Sequence, residues 1–468
     1  MASFTTALFP DPAAPGIPLP PAGQNPAARA ITDATGRTVT YGQLRSLIEH
    51  VAGGLAAQHI APGQHVGVRL ENSIAFAAAF HGVLTAGGVV VPLSGEPPAG
   101  VNLAYLIDAT TYPDLAVCPD TVPIGAIDID ADTPVCLPAS SGTTGIPKLV
   151  VLTHRNLTAN VRQFSSVVPI TSGDTVLGVL PFTHIFGLTA ILNVSLYLGA
   201  HLIALPFTPA SFCDAFGRYG VTVAYIAPPL ARLLATSPEA AAADFSQLRV
   251  LINGGAALDV ASGTGTAART GARVIQGYGM TEASPVTHLT VSPNTPMGSI
   301  GRPIPDTHQR IVDPATITDV APGEVGELWV AGPQVMAGYW NDPEATQAAL
   351  VGRWLRTGDL ARELPGGDVE IVDRLKDVIK YHGFQVSPVT LEAILTGMPG
   401  ITDAAVTRGI GEDGEEIPVA YVVGTAAPSE IMDYVAARVA SYERIRRVEY
   451  VDAIPRSATG KILRRLLP

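Results

Sequence analysis

The sequence predicts a protein of mixed class, α/β and α+β. It reads as a large N-terminal domain of α/β layers over residues 1–374, with a β-rich subdomain at about 295–374. A small α+β C-terminal domain follows over residues 375–468. Three observations lead there. Short apolar runs alternate with helical patterns over most of the chain, as in parallel sheets covered on both faces. After about residue 295 the composition turns dense in Pro and Gly with short strands. A charged, strand-breaking run, Asp373-Arg374-Leu375-Lys376, then sets off the last stretch.

Taken in order, residues 1–27 are rich in Pro, Ala and Gly and read as an extended arm. Apolar residues recur at helical spacing from Tyr41 to Gln58, and Val66–Leu70 reads as a short buried strand. The apolar tract Ile74–Leu93 contains His81 and three glycines. It reads as a buried helix over Phe76–Ala86 leading into a strand at Val89–Leu93, in preference to a membrane span. Further strands are expected at Thr175–Leu180, His201–Leu205, Val221–Ile226, Val250–Ile252 and Val274–Gln276. Several run straight into glycine-rich or polar turns, where ligands of open α/β sheets bind. The β-rich part is marked by Gly326–Ala331. The C-terminal part alternates strands (Ala404–Thr407, Val419–Val423, Arg447–Val451) with helices (Pro388–Thr396, Ser429–Ser441).

Composition narrows the function classes. Of 468 residues, 47% are hydrophobic, which sets the chain apart from disordered proteins. Lys plus Arg number 29 and Asp plus Glu 41, a net charge of −12. A chain this acidic has no broad electrostatic reason to hold nucleic acid or an anionic membrane. It can still hold a polyanion locally, through backbone N–H groups and a few lysines. Cys118, Cys136 and Cys213 fit no zinc or CxxC spacing and read as free thiols in a reducing compartment. The start has no basic segment followed by an apolar one, so no signal peptide and a cytoplasmic location are expected.

Five motifs carry chemistry. In Ser140-Ser141-Gly142-Thr143-Thr144-Gly145-Ile146-Pro147-Lys148, glycines let N–H groups converge, hydroxyls add donors and the lysine adds a cation. Together they make a polyphosphate cradle. Gly145 stands only three residues before Lys148, so this is not the GxxxxGK[ST] loop. In Gln276-Gly277-Tyr278-Gly279-Met280-Thr281-Glu282, the glycines permit close approach of a nucleotide and Tyr278 offers a face to a base. Thr281 can donate to a phosphate, and Glu282 is a hard oxygen ligand suited to Mg²⁺. Arg356-Thr357-Gly358-Asp359 with Asp373-Arg374 could hold ribose hydroxyls. Read alone, it is a surface turn and ion pair. Lys376–Ser387 reads as a charged hairpin in which Lys380 and Gln385 flank Gly383. In Pro455–Arg465, Lys461 follows a flexible Thr-Gly and precedes a basic end. It is either an inert tail or a mobile lysine that reaches an anionic transition state.

Together these motifs resemble the adenylate-forming superfamily of acyl-CoA synthetases, aryl and 4-coumarate CoA ligases, luciferases and peptide-synthetase adenylation domains. The resemblance runs from Thr40-Tyr41-Gly42-Gln43-Leu44 through Pro181-Phe182-Thr183-His184 to Lys461. It is closest to CoA ligases of the 4-coumarate type, on IVDRLKDVIKYHGFQVSP and PRSATGKILRR.

The resemblance implies a set of roles. Ser140–Lys148 would wrap the β- and γ-phosphates. Gly255, Ala256, Ala257 and Tyr278 would line the adenine, and Asp359 and Arg374 would hold the ribose. Thr281 would hold the α-phosphate, Glu282 the Mg²⁺, and Gly279 would lie close to the nucleotide. Lys461 would be the adenylation lysine, bridging the acid's carboxylate and the α-phosphate. His184, Phe186, Ala190, Tyr225, Gly254, Gly277 and Ala283 would form the acyl site, for an aryl, arylacryl or medium-chain acid. Members of the family rotate a mobile C-terminal domain between half-reactions, with the hinge here at Lys376. The second pose would bring the Lys380–Gln385 segment to the site and admit the thiol.

The implied reaction uses ATP, Mg²⁺ and coenzyme A on a small-molecule carboxylic acid, in a monomer or homodimer. The alternatives are transfer to a carrier-protein thiol, an amine or nitrite, a phosphotransferase, or a non-catalytic nucleotide-binding protein. Two residues depart from the family's pattern: Leu149 stands where glycine is usual, and Leu258 where proline is common. The stretch between Leu93 and Ser140 is also shorter than in most relatives.

Overall fold

The computed structural model describes residues 4–8, 25–98, 100–140, 148–382, 384–411, 414–457 and 460–468. It divides into two compact units. One comprises Met1–Met297, Pro303–His308 and Ala331–Leu355; the other comprises Gly298–Arg302, Gln309–Val330 and Arg356–Pro468. The expected boundary at 374/375 therefore lies inside the second unit.

The first unit is built on two sheets. In one, Arg273–Gly279, Val250–Asn253, Val223–Ile226, Thr175–Gly178, His201–Ala204 and Arg29–Asp33 lie side by side in parallel. Antiparallel strands Val286–Leu289 and Thr38–Thr40 flank them. In the other, Tyr105–Ile107, His65–Val68, Val89–Pro92 and Pro134–Cys136 are parallel, and Val150–Thr153 and Gly338–Tyr339 complete it antiparallel. The helix Ile74–Thr85 touches strands of both sheets, which is why it is apolar all round. Ser73 caps its start by accepting from the Phe76 N–H. Thr40 and Gln43 form a capping box on Tyr41–Ala57. Leu149 is buried with Val89, Val91, Leu93 and Leu137, so the departure from glycine fills a core gap.

One expectation is corrected. Residues 4–8 form a helix, not an extended arm, because Phe4 and Leu8 fall on one face and both are buried. The helix is tied down by polar contacts as well. The Phe4 N–H donates to His154 Nδ1 at 3.0 Å, and Thr5 Oγ1 meets His81 Nδ1 at 3.1 Å. His81 Nε2 meets Asn193 Oδ1 at 2.9 Å, and Asn193 donates to the Leu188 carbonyl at 2.8 Å. Burial lowers the His81 pKa to about 3. The ring is therefore neutral, with Nε2–H donating to Asn193 and Nδ1 accepting from Thr5. No helix among the described residues is long and apolar enough to cross a membrane, and the three cysteines are free.

The second unit joins the β-rich part to the C-terminal part. Gly326–Ala331, Trp354–Glu363 and Val369–Arg374 are neighbouring strands of one sheet, with His308–Val312 beside the first. A three-stranded sheet follows, of Ile401–Ile410, Glu416–Gly424 and Arg447–Tyr450. Helices Pro388–Thr396 and Pro428–Ala436 pack on it over Leu391, Leu395, Val406, Val422, Ile431 and Val435. The second helix is shorter than the expected Ser429–Ser441.

Glu327 holds the Arg356-Thr-Gly-Asp segment, which lies within the strand Trp354–Glu363 and is not a surface turn. Its carboxylate is 2% exposed. It accepts from Arg356 Nε at 3.0 Å and Nη2 at 2.9 Å, Trp329 Nε1 at 2.9 Å and the Gly358 N–H at 3.2 Å. Gly358 has φ +70°, a conformation that favours glycine. Removing one member of a buried ion pair strands the other's charge and these donors. Glu327→Ala should therefore cost about 3 kcal/mol, read as a lower urea midpoint at constant slope in equilibrium unfolding.

Candidate nucleotide and acyl site

The strand ends of the first unit supply one set of groups. Ser140 and Lys148 close the stem of the phosphate-cradle motif: the Ser140 N–H donates to the Lys148 carbonyl at 2.8 Å, and Ala139 bridges Leu149. Ser141, Gly142, Thr143, Thr144 and Gly145 lie outside the described residues. Lys148 is half-buried. Its ammonium lies 5.0 Å from the Tyr339 ring centroid and 3.9 Å from Asp342 Oδ2.

The strand Val250–Asn253 runs into Gly254–Ala257, where Gly255 takes φ +86°. Asn253 Nδ2 ties this turn to the next strand by donating to Gln276 Oε1 at 2.7 Å. Gly255 and Ala257 are exposed and Ala256 half-buried, so the turn is open to a ligand. Tyr278 is half-buried and meets the His288 ring edge-on at 5.8 Å. Gly279 admits no side chain, because a Cβ there would lie 1.9 Å from the Pro285 carbonyl oxygen.

Thr281 is buried and Glu282 half-buried. Among the described residues, the Glu282 carboxylate has one side-chain hydrogen bond, from the Tyr339 hydroxyl at 2.8 Å. The same contact, after burial, raises the Tyr339 pKa. No group of three or more His, Cys, Asp or Glu that could hold a metal occurs among the described residues. A lone carboxylate nevertheless fits Mg²⁺ whose other ligands are phosphates and water.

The expected acyl residues gather beside this set. Phe186 and Tyr225 meet edge-on, centroids 5.8 Å apart. A Cβ on Gly254 would come within 2.6 Å of the Phe186 ring. Ala190, Tyr225 and Ala283 are fully buried. Phe186 opens a π-helix, Phe186–Asn193. His184 is half-buried, and its Nδ1 accepts from the Phe186 N–H at 3.2 Å.

In the second unit, Asp359 and Arg374 are cross-strand partners. Asp359 is 3% exposed, and its Oδ1 lies 3.0 Å from Arg374 Nε. Lys461 belongs to the same neighbourhood. Burial lowers its pKa to about 8, with Arg374 and Lys376 adding to the effect and Asp359 and Asp377 opposing it. Burial also lowers the pKa of Lys376. The turn before Lys461 is built by Arg456, which donates to the Gly460 carbonyl at 2.9 Å and pairs with Asp403 at 2.8 Å. On its other side Arg464 donates to Glu392 at 2.6 Å and to the Val406 carbonyl at 3.0 Å. Lys380 and Gln385 are cross-strand partners in the hairpin Ile379–Tyr381 and Phe384–Val386.

The chain matches the AMP-binding enzyme family over residues 21–111 and 104–340, and the AMP-binding enzyme C-terminal domain over residues 390–461. It belongs to the AMP-binding enzymes. Among its relatives is 4-coumarate–CoA ligase 2 of Oryza sativa subsp. japonica, 35% identical over 506 aligned positions, with 93% of this chain and 88% of the relative covered. Another is the 4-coumarate–CoA ligase of Pinus taeda, 36% identical, with 93% and 90% covered. The crystal structure of ATP-bound MatB from Rhodopseudomonas palustris matches with a TM-score of 0.91 at 26% identity, over 99% of this chain and 97% of that one.

Tyr339, Asp342 and Glu327 were missed in the sequence. Tyr339 stands 57 residues from Glu282 and reaches it only through pairing of Gly338–Tyr339 with Val150–Val151. The signal available was an aromatic in a Gly-Tyr-Trp run, which reads as well for a core strand.

The tight approach at Gly279 yields a test. Gly279→Ala should force the turn apart, costing about 2 kcal/mol and weakening ATP binding at least tenfold by calorimetry. Unchanged affinity would show that no nucleotide uses this turn.

Proposed function

We propose that this chain is an ATP-dependent acid–CoA ligase acting on an aryl, arylacryl or medium-chain carboxylic acid. The observation that carries the reading is the company kept by Lys461. A half-buried ammonium sits in the field of the Asp359–Arg374 pair, about a hundred residues earlier in the chain. An amine so placed has the Asp359 carboxylate and the Arg374 guanidinium, the residues assigned to the ribose, within its electrostatic reach.

In the first step the acid's carboxylate oxygen attacks the α-phosphorus of ATP. The new O–P bond forms as the bond to the bridging oxygen breaks, and pyrophosphate leaves. Two anions must meet, so the site has to neutralise both. Lys461 supplies a cation between carboxylate and α-phosphate. Lys148 and the hydroxyl- and glycine-rich loop hold the β- and γ-phosphates, Thr281 donates to the α-phosphate, and Glu282 holds Mg²⁺. That ion, when bound, screens the triphosphate charge. In the second step the coenzyme A thiolate attacks the acyl carbon, and AMP leaves with the electron pair of the anhydride C–O bond. Lys380 and Gln385 serve this step, and Lys376 is the hinge between the two. Phe186, Tyr225, Gly254, Ala190 and Ala283 support a flat or slender apolar acid.

Product analysis tests the class: AMP with pyrophosphate, and a thioester that appears only with coenzyme A. ADP, or no thioester with any accepted acid, would overturn it. Lys461→Ala should lower acid-dependent ATP–pyrophosphate exchange at least a hundredfold while ATP binding stays within threefold. The pH profile is a further check. The ammonium is the active form and its pKa is lowered to about 8. Exchange kcat/KM should therefore be level below pH 8 and fall about tenfold per unit above it. Lys376→Gln removes a neighbouring positive charge and should move that limb to higher pH.

A further inference from the structure

We propose that Tyr339 is a positioning residue for the metal and phosphate end of the site. Its hydroxyl fixes the Glu282 carboxylate, and its ring keeps the Lys148 ammonium from pairing with that carboxylate. The proposal rests on the reading above, in which Glu282 holds Mg²⁺ and Lys148 a phosphate.

The placement of Tyr339 is built in. It pairs with Val150, two residues beyond Lys148, and the Trp340 N–H donates to the Leu149 carbonyl at 2.8 Å. The Tyr339 N–H donates to Thr346 Oγ1 at 2.9 Å, and that hydroxyl donates to the Asp342 carbonyl at 2.8 Å. Gly338, at φ +154°, leaves room for Thr346, which a Cβ would meet at 2.8 Å. The same ladder that carries Lys148 thus delivers the ring.

The two ends of this side chain serve opposite charges. The hydroxyl donates to Glu282 Oε1 at 2.8 Å, and the ring face takes the Lys148 ammonium at 5.0 Å. Among the described residues, the acidic partner of Lys148 is Asp342, at 3.9 Å, and not Glu282. A direct Lys148–Glu282 pair would cancel the charges that a polyphosphate and its cation each need. One hydrogen bond to Oε1 leaves the other lone pairs of the carboxylate for a cation. Hydrogen bonds that orient a ligating carboxylate commonly govern metal affinity by 10- to 100-fold.

Two substitutions separate the two ends. Tyr339→Phe keeps the ring and removes the hydroxyl; Tyr339→Leu removes both. Calorimetric titration with MgATP, and with ATP in excess EDTA, reads binding without turnover. Thermal unfolding of each variant confirms that it is folded. For Tyr339→Phe we expect MgATP to bind about tenfold more weakly, metal-free ATP within twofold of wild type, and an unaltered KM for the acid. For Tyr339→Leu both forms of ATP should weaken. If Tyr339→Phe binds MgATP as wild type does, or loses affinity equally with and without metal, the proposal is overturned. A wild-type chain that binds no MgATP would instead remove the underlying reading of the site.

Discussion

The register of three parallel strands sets where the turns at Gly254–Ala257 and after Gly279 leave the sheet. Val223, Val250 and Arg273 lie side by side, as do Ile226, Asn253 and Gln276 at the far end. The turns that follow therefore leave the sheet on one edge, and their composition can be given over to binding because the ladder supplies the stability. A slip of one residue would send Tyr225 to the opposite face from Phe186 and break the Asn253–Gln276 bond. The Phe186–Tyr225 contact and the Gly254–Ala257 turn thus depend on the same backbone pairing.

Charge is handled differently in the two units. In the first, Lys148 and Glu282 are kept half-buried, each in contact with the Tyr339 side chain. In the second, carboxylates are driven into the interior and matched there: Glu327 with Arg356, Asp359 with Arg374, Glu392 with Arg464. Such pairs add little net stability, since desolvation offsets their attraction, but they fix geometry. Burial holds the Lys461 pKa below the usual lysine value, with Arg374 and Lys376 adding to the effect and Asp359 and Asp377 opposing it.

Much of the fold was legible because its cues are local. Strands at Thr175–Gly178, His201–Ala204 and Val250–Asn253 announce themselves by β-branched and aliphatic runs ending in Gly or polar turns. The Lys380–Gln385 hairpin and the Asp359–Arg374 region were legible as motifs. What stayed hidden depends on partners far along the chain. Phe4–Leu8 is helical because it docks, since five residues cannot hold a helix alone. Glu327 lies in the expected strand Gly326–Ala331, but its partners Arg356 and Gly358 come from a later strand. Tyr339 gains meaning only from strand pairing that periodicity cannot encode.

The hydrogen-bonded chain from Thr5 through His81 and Asn193 to the Leu188 carbonyl has a practical corollary. It fastens the helix Phe4–Leu8 to the helix that supplies Phe186 and Ala190. Affinity tags and leader fusions are usually placed at this terminus on the assumption that it is inert. Here such an addition would act on a helix linked through His81 to the Phe186–Asn193 segment, and a handle at the other end has to spare the turn that precedes Lys461.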